Sequence, residues 1–424
     1  MTTAIALAAA RASESHLEQI VRDGALRRVF QPVVDLDTGA VLANEALLRG
    51  PAGTAWESPM VLLAAARAGG RLADLERASL HGAIADAARM SRGRPTTLFV
   101  NVEPSTMTTN LDVVLEAVAR RPANVQVVVE ITERALAADL AGILDGTERL
   151  RAAGCAIALD DVGVEPESLA FIPLLRPEVV KLDLGLLRSV SDLATLTVSG
   201  AVRAYAEESG AEVVAEGVET AADLTRALVL GATLGQGWFW SRGEPAIGAT
   251  TFRGQRFAAR PIGPSLHTSP HHLFDEARRS RRAPKELLLP LSQTLEQMAL
   301  QARVPPVLLA SFERAEFFTP ATALRYSELA ARLPFVCALG VDMLAEPAPG
   351  VRGAALSPQD PLATQWTVVV LGAHSAAALV ARDLGDAGDD GGRQFEFVVS
   401  YDRALVTRAA HSLIGRLTPW AAGL

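Results

Sequence analysis

The fold is decided by the stretch Ala156-Ile157-Ala158-Leu159-Asp160-Asp161-Val162-Gly163. Its four apolar or small residues precede two adjacent carboxylates, a pattern typical of a strand buried on both faces. Two carboxylates at the end of such a strand lose solvation, which disfavours their charged form unless a counter-charge is near. A divalent cation is the simplest counter-charge, although a strand end that emerges into solvent would also explain the pair.

Short apolar runs of the same kind recur along the first 240 residues and alternate with helical segments. Strand–helix alternation implies parallel pairing with the helices outside, and eight such units can close into a barrel. An open doubly wound sheet is the alternative, but the sequence lacks the Gly-rich phosphate turn of its dinucleotide-binding form. With an opening hairpin, the predicted strands are 29–36, 41–49, 98–100, 125–131, 156–159, 179–182, 212–215 and 233–240.

Polar residues stand at the carboxyl end of nearly every predicted strand. Such side chains converge on one mouth of a barrel, where barrel enzymes keep their active sites. Oxygen ligands without His or Cys favour Mg²⁺, Mn²⁺ or Ca²⁺ over zinc. The candidates are Glu45, Asn101, Glu130, Glu133, Asp160, Asp161, Lys181, Asp183, Glu216, Glu219 and Gln236.

The acid and amide set suits two cations. One ion would take four ligands from Glu45, Asn101, Glu130 and Asp160, and Asp161 would hold a second ion with Asp160 bridging the two. Paired ions about 3.5–4 Å apart stabilise both the attacking and the leaving oxygen of a displacement at phosphorus. The sequence therefore predicts a phosphoryl-group chemistry at the barrel mouth.

Three further residues have candidate roles in that chemistry. Lys181 would orient or deprotonate a metal-bound water or neutralise charge, and Glu216 is a second-ion ligand or a proton acceptor. Which of the two acts as the base stays open. Arg49 alternates onto the same strand face as Glu45 and suits a phosphate oxygen. Another Mg²⁺ barrel enzyme, with a Lys base acting on a carbon acid, is a further alternative.

In their order along residues 18–245, these motifs resemble those of the EAL-domain cyclic di-GMP phosphodiesterases. The resemblance implies a barrel with an antiparallel first strand, Mg²⁺- or Mn²⁺-dependent hydrolysis of cyclic di-GMP to linear pGpG, and a homodimer. The matching motifs are Gln31-Pro32-Val33-Val34-Asp35, Glu45-Ala46-Leu47-Leu48-Arg49, Asn101-Val102-Glu103-Pro104-Ser105, Glu130-Ile131-Thr132-Glu133, Asp160-Asp161-Val162-Gly163, Lys181-Leu182-Asp183, Ala215-Glu216-Gly217-Val218-Glu219-Thr220 and Gln236-Gly237-Trp238.

The same resemblance implies a role for each site residue. It makes Glu45, Asn101, Glu130 and Asp160 ligands of the first metal, Asp161 a ligand of the second, Lys181, Glu216 and Glu219 catalytic or site-supporting groups, Gln31, Arg49, Asp183 and Gln236 substrate contacts, and Glu133 the anchor of the loop after Asp161.

That loop departs from the family pattern. Active members continue the acid pair with Phe-Gly-Thr-Gly-Tyr-Ser-Ser, whereas this chain has Val162-Gly163-Val164-Glu165-Pro166-Glu167-Ser168. Pro166 fixes φ and removes a donor, and the freedom of a glycine is lost at Glu165. The alternative hypothesis is therefore a weak or inactive receptor that binds cyclic di-GMP and signals through its C-terminal half.

Composition limits the partners and the location. The net charge of −8 argues against binding of a nucleic acid polymer, which needs a basic surface. No stretch has the length of a membrane span and no signal peptide is recognised, so we expect a cytoplasmic protein. The two Cys, Cys155 and Cys337, lie in separate apolar segments and are expected to be buried and free.

The second half reads as a linker and a smaller α/β domain. The predicted division is an N-terminal extension 1–17, a barrel 18–250, a linker or connecting helix 251–285 and a sensory domain 286–424. Strands are expected at 306–309, 335–339, 366–371 and 395–400, and helices at 287–302, 321–332, 375–384 and 402–416. The segments 317–320, 358–366 and 395–403 resemble the DICT sensory domain, which implies a signal or ligand that the sequence does not identify.

Overall fold

The computed structural model describes residues 15–132, 136, 139–163, 166–188, 192–247, 256–260, 268–275, 280–386 and 390–417. Eight strands close into a barrel in chain order, so the barrel prediction is confirmed and the open doubly wound sheet is wrong. The first strand is antiparallel to both neighbours, and the others pair in parallel. The strands are β1 (Arg27–Asp35), β2 (Val41–Arg49), β3 (Thr96–Asn101), β4 (Val125–Thr132), β5 (Ala156–Val162), β6 (Val179–Leu182), β7 (Glu212–Ala215) and β8 (Leu234–Gly235).

Helices cover the outside of the barrel. Apolar residues of these helices and the outward residues of the strands form one large buried cluster. Residues 15–22 are helical. The further α-helices are Pro59–Ala68, Leu72–Ser91, Pro104–Thr109, Leu111–Ala119, Leu140–Ala152, Ile172–Leu175, Leu184–Arg188, Leu193–Ser209 and Ala221–Val229, and Ala55–Glu57 and Pro166–Phe171 are 3-10 helices.

A short segment after the last barrel strand closes the lower end of the barrel, which is the end opposite the mouth. Phe257 is 2% exposed and packs inside the barrel against Phe99, with ring centroids 5.4 Å apart in an edge-to-face arrangement. Arg256 holds the segment in place through ion pairs of 2.5 Å with both Asp35 and Glu212. The barrel core therefore includes a residue from the predicted linker.

The C-terminal half forms a seven-stranded mixed sheet. Helices Lys285–Gln301 and Pro320–Ala330 pack on one face, and helix Arg403–Ile414 packs on the other. The remaining helical elements are Pro270–Asp275, Ala315–Phe317 and Pro361–Thr364. The strands are β9 (Arg281–Pro284), β10 (Val307–Arg314), β11 (Val336–Val341), β12 (Arg352–Leu356), β13 (Gln365–Leu371), β14 (Ala376–Asp383) and β15 (Gln394–Ser400). Their order in the sheet is β12-β11-β10-β13-β14-β15-β9.

Some sequence-based expectations differ from this structure. The predicted helix 375–384 is wrong, because this segment is β14, paired along its length between β13 and β15. Of the alanines that suggested a helix, Ala377, Ala378 and Ala381 are buried on the two faces of the sheet, and strand pairing overrides helix propensity. β9 lies within the predicted linker, and β8 pairs over two residues rather than over 233–240.

Other features agree with the sequence. Cys155 and Cys337 are both buried and free. Among the helices of the described residues, none combines the length and apolar character that crossing a membrane requires. Of the predicted linker, residues 251–255, 261–267 and 276–279 lie outside the described residues.

Candidate functional site

The polar residues of the barrel strands point into the barrel because each lies two positions from an inward apolar residue. Successive side chains of a strand point to opposite faces, so a residue two positions from an inward apolar residue also points inward. Each of the eight strands contributes at least one residue to the apolar cluster inside the barrel. The pairs of inward apolar residue and site residue are Val33 and Gln31, Ala43 and Glu45, Phe99 and Asn101, Val128 and Glu130, Ala158 and Asp160, Val179 and Lys181, Val214 and Glu216, and Leu234 and Gln236.

The ammonium of Lys181 is the centre of the site. Its Nζ lies 2.5 Å from Oε1 of both Glu130 and Glu216, 3.2 Å from Oδ1 of Asp160 and 3.5 Å from Oε2 of Glu45. The Lys181 side chain is 1% exposed. Four carboxylates thus surround one ammonium, which leaves an excess of negative charge in a region with little water to stabilise it.

Two amide side chains fix the carboxylates. Asn101 donates from Nδ2 to Glu45 Oε1 at 2.7 Å and to Glu130 Oε2 at 2.9 Å. Gln236 donates from Nε2 to Glu45 Oε2 at 2.6 Å and to Gln31 Oε1 at 3.0 Å. Hydrogen bonds of this kind hold the carboxylate oxygens in one orientation, so that side chains from five strands form a single network.

Steric crowding explains why a glycine follows Gln236. Gly237 has φ +153°, and a Cβ there would lie 2.2 Å from the Val218 carbonyl oxygen. The chain passes close to the loop after β7 only because residue 237 has no side chain. This approach directs Gln236 into the barrel.

The excess negative charge changes the protonation of the cluster. Burial alone would lower the pKa of Lys181, but the surrounding carboxylates raise it well above its usual value. Burial, together with the charge of Glu45, raises the pKa of Glu130 well above its usual value, and burial raises that of Glu216 to about 8. Burial opposes ionisation of Glu45 too, but Lys181 outweighs it and lowers the pKa of Glu45. The site therefore favours additional positive charge.

Residues suited to a divalent cation are brought together beside Lys181. Oxygens of Asp160, Asp161 and Glu216 lie within 4.8 Å of one another. Oδ1 of Asp160 and Oε1 of Glu130 are buried, and both face the Lys181 ammonium. An all-oxygen donor set of this kind fits Mg²⁺ or Mn²⁺.

Asp161 stands at an unusual backbone position. Its φ is +57°, a left-handed backbone conformation that residues other than glycine adopt rarely and at a cost of about 1–3 kcal/mol. The residue is exposed at the mouth, whereas the adjacent Asp160 is buried. The strained turn is what brings both consecutive carboxylates to the same cluster.

The other predicted site residues lie farther out. Arg49 is half-buried, donates to the Leu48 carbonyl oxygen and lines the cavity at the mouth. Asp183 accepts from the Gly185 N–H at 2.6 Å, and Glu219 is exposed with an oxygen 3.9 Å from Arg188. In the described part of the chain neither acid pairs with Lys181, and Glu133 lies outside the described residues.

A cavity of about 580 Å³ extends from the carboxylates to residues that the sequence did not single out. On its far side, Arg67 pairs with Glu103 at 2.5 Å, and the Glu103 N–H donates to Glu76 Oε1 at 2.6 Å. Burial raises the pKa of Glu76 to about 7. The signal for Glu76 was present in the sequence, since an acid follows Leu75 on the buried face of a helix.

Family models match both halves of the chain. One described as "EAL domain" matches residues 14–243, which is more than half of the chain. The chain belongs to the EAL-domain family. A second model, described as "Sensory domain in DIguanylate Cyclases and Two-component system" (DICT), matches residues 264–384 of this EAL protein.

Curated relatives of the EAL protein include two named phosphodiesterases. Cyclic di-GMP phosphodiesterase NbdA of Pseudomonas aeruginosa is 28% identical over 270 residues, covering 60% of this chain and 34% of the relative. Cyclic di-GMP phosphodiesterase RocR of the same organism is 31% identical over 159 residues, covering 36% and 40%. The uncharacterized protein Rv1354c of Mycobacterium tuberculosis is 28% identical over 246 residues, covering 55% and 38%. The chain thus spans only about a third to two fifths of these relatives.

Solved structures agree with the barrel. A PaMucR phosphodiesterase in complex with c-di-GMP is 25% identical with a TM-score of 0.50, covering 55% of this chain and 98% of that one. The cAMP-bound EAL enzyme Bd1971 is 19% identical with a TM-score of 0.50, covering 57% and 69%, and supports the fold alone.

Proposed function

We propose that this EAL protein hydrolyses cyclic di-GMP to linear pGpG with two Mg²⁺ or Mn²⁺ ions. The observation that carries the proposal is the buried Lys181 ammonium surrounded by four carboxylates, beside oxygens of Asp161 that approach those of Asp160 and Glu216. The names of the phosphodiesterase relatives and the c-di-GMP complex of the 25% identical structure support the choice of substrate.

In the proposed site the first ion is held by Glu45, Asn101, Glu130 and Asp160, and the second by Asp161 with Asp160 and Glu216. The ions would activate water and stabilise the charge that develops on phosphate oxygens. Chain residues supply the rest, and each role assigned to them is part of the proposal.

Lys181 offsets the carboxylate charge and holds the oxygens that face it, and with Glu216 it is a candidate to hold or move the proton of the attacking water. Arg49 suits a phosphate oxygen because its planar fork matches phosphate geometry. The residues assigned to substrate contact or support are Gln31, Arg49, Asp183, Gln236, Glu219 and Glu133.

The far side of the cavity suits one end of a dinucleotide. Arg67, Glu76 and Glu103 offer charged and hydrogen-bonding groups there, and Met60 and Leu63 offer apolar contacts. A purine base needs both kinds of contact, since its faces are apolar and its edges carry donors and acceptors.

The proposal extends to the whole chain. We assign the signal-dependent control of hydrolysis to the C-terminal DICT domain. The proposed functional units are the barrel at about residues 18–250, to which Phe257 adds, and the C-terminal domain at about residues 286–424, to which β9 adds. The proposed working form is a cytoplasmic homodimer.

The proposed function is tested by incubating the full chain with cyclic di-GMP and Mn²⁺ and separating the nucleotides by ion-pair chromatography. Formation of pGpG that stops on chelation with EDTA is the expected result. Tight binding of cyclic di-GMP without any product would instead favour the receptor hypothesis, which the altered loop after Asp161 motivates.

A further inference from the structure

The segment that leaves the acid pair ends against the C-terminal domain. Its described elements after β5 are Pro166–Phe171 and Ile172–Leu175, and the apolar residues of the second element are fully buried. They belong to the same apolar cluster as Val406, Ala410 and Leu413 of helix Arg403–Ile414. The barrel and the C-terminal domain therefore share a core at this point.

One polar contact crosses that core. The Nε2 atom of His411, on helix Arg403–Ile414, lies 2.7 Å from the Leu174 carbonyl oxygen. Because a carbonyl oxygen only accepts, Nε2 carries the proton and donates it. The imidazole is 4% exposed, and burial lowers its pKa to about 4, so the ring is neutral near neutral pH.

The barrel holds the adjacent carbonyls from the opposite side. Arg151 donates from Nη2 to the Leu175 and Arg176 carbonyl oxygens, at 2.9 and 2.8 Å. Its Nε donates to Glu178 Oε1 at 3.0 Å, and Glu178 Oε2 accepts from the Ile157 N–H of β5 at 2.8 Å. Two domains thus hold the three consecutive carbonyls of residues 174–176. Arg151 is in turn connected through Glu178 to β5, the strand that carries Asp160.

The other end of the segment is under conformational constraint. Asp161 has φ +57° and Gly163 has φ +106°, and a Cβ on Gly163 would lie 2.4 Å from a Leu186 methyl carbon. Strained backbone of this kind persists only where the surroundings hold it. The turn Pro166–Phe171 contacts both β5 and the anchored residues Ile172–Leu175, and so links the anchor to the strand that carries Asp161.

We propose that His411 is a positioning residue of the barrel site: by holding Leu174 it keeps the segment after β5 in the conformation that brings Asp161 beside Asp160 and Glu216. The C-terminal domain then acts on the second cation position through this contact. The inference rests on the proposed metal site, but not on turnover.

The test compares variants of the full chain in Mn²⁺ titrations followed by calorimetry and electron paramagnetic resonance. His411→Met removes the donor and supplies an apolar side chain of similar size, and we expect it to weaken one of the two Mn²⁺ sites at least fivefold and to leave the other within twofold. His411→Gln keeps a donor at a similar reach and should restore most of the affinity. Hydrogen exchange of peptides covering residues 161–176 should accelerate in His411→Met.

Ser412→Ala is the matched control. It removes a hydrogen bond of the same kind from the next residue, donated to the Thr268 carbonyl oxygen within the C-terminal half. It should change neither Mn²⁺ site. Equal Mn²⁺ affinities and equal exchange of residues 161–176 in His411→Met and Ser412→Ala would overturn the proposal.

Two outcomes keep this inference separate from the proposed function. If the wild-type chain binds two Mn²⁺ ions but releases no pGpG, the His411 comparison still decides the positioning role. If His411→Met does not fold, His411→Asn, whose amide is too short to reach Leu174, replaces it with the same expectation.

Discussion

The Nζ atom of Lys181 lies 2.5 Å from Oε1 of Glu130, and both side chains are buried to 1% exposure or less. A buried pair of this kind would be locally balanced, but Glu45, Asp160 and Glu216 face the same ammonium. The unbalanced charge makes the site a strong candidate for cation binding. It also makes the metal-free protein sensitive to the loss of Lys181.

Replacement of Lys181 by Met should destabilise the metal-free chain and abolish its turnover. Removing one partner of a buried ion pair costs about 3–5 kcal/mol, because the other charge is left without compensation. We expect the free energy of unfolding in urea with EDTA to fall by about that amount, and Mn²⁺ to restore part of it.

Lys285→Met is the control for that variant, since Lys285 pairs with the 64%-exposed side chain of Asp390. Pairs with such exposure contribute about 0–1 kcal/mol. A Lys181→Met protein as stable as Lys285→Met in EDTA would show that the carboxylates are not held by the ammonium.

Replacement of Asp161 by Asn should remove the second cation with little effect on the fold. The side chain is exposed, so the cost in stability is expected to stay within about 0.5 kcal/mol. Turnover should fall at least a hundredfold, and Mn²⁺ titration should lose one of two binding events. Full turnover with one bound ion per chain would contradict the two-ion assignment.

Replacement of Glu76 by Gln should flatten the pH dependence of stability between about pH 4.5 and pH 7. The folded pKa of Glu76 is about 7, above the ordinary 4.5, so the unfolded chain releases this proton first as pH rises. The stabilisation that the protonated carboxyl gives is present below pH 4.5 and is lost towards pH 7. Its size is about 3 kcal/mol, since one pKa unit corresponds to about 1.4 kcal/mol.

The measurement for Glu76 is urea unfolding at pH 5 and pH 8 in EDTA. Glu76→Gln should be more stable than wild type at pH 8 and similar to it at pH 5. Glu116→Gln changes an exposed carboxylate and serves as the control. An unchanged difference between the two pH values in Glu76→Gln would contradict the buried, protonated state.

Replacement of Phe257 by Ala should open the lower end of the barrel. Truncation of a buried Phe costs about 3–5 kcal/mol, and the ring fills the space beneath Phe99. Phe239→Ala, at a residue 43% exposed, should cost less than about 1 kcal/mol.

Because Phe257 fills the lower end of the barrel, a barrel that ends at residue 247 should unfold at a lower urea concentration than one that ends at residue 260. Equal urea midpoints of the two truncated proteins would contradict this role of Phe257.

The sequence predicted which side chains meet inside the barrel better than it predicted the secondary structure of the C-terminal domain. Short strands buried on both faces end in polar residues, and one inward apolar residue two positions away fixes the direction of each site residue, as at Phe99 and Asn101. Such local patterns survive folding, because every unit of a barrel repeats the same geometry.

Contacts between distant parts of the chain were not predictable in this way. The alanines of β14 favour a helix locally, but their two neighbouring strands decide the outcome. Phe257 is a lone apolar residue in a polar stretch, and His411 lies on an ordinary amphipathic helix, so neither gives a local signal. Their partners lie 158 and 237 residues away along the chain.

The central claim is tested most directly by single-turnover hydrolysis of cyclic di-GMP with Mn²⁺, with wild type and Glu45→Gln compared side by side. Wild type should convert bound substrate to pGpG, and Glu45→Gln should release no product because the proposed first ion loses a ligand that Asn101 and Gln236 hold in place. Bound cyclic di-GMP that stays intact on wild type, or equal product from both proteins, would contradict a metal-dependent phosphodiesterase at this site.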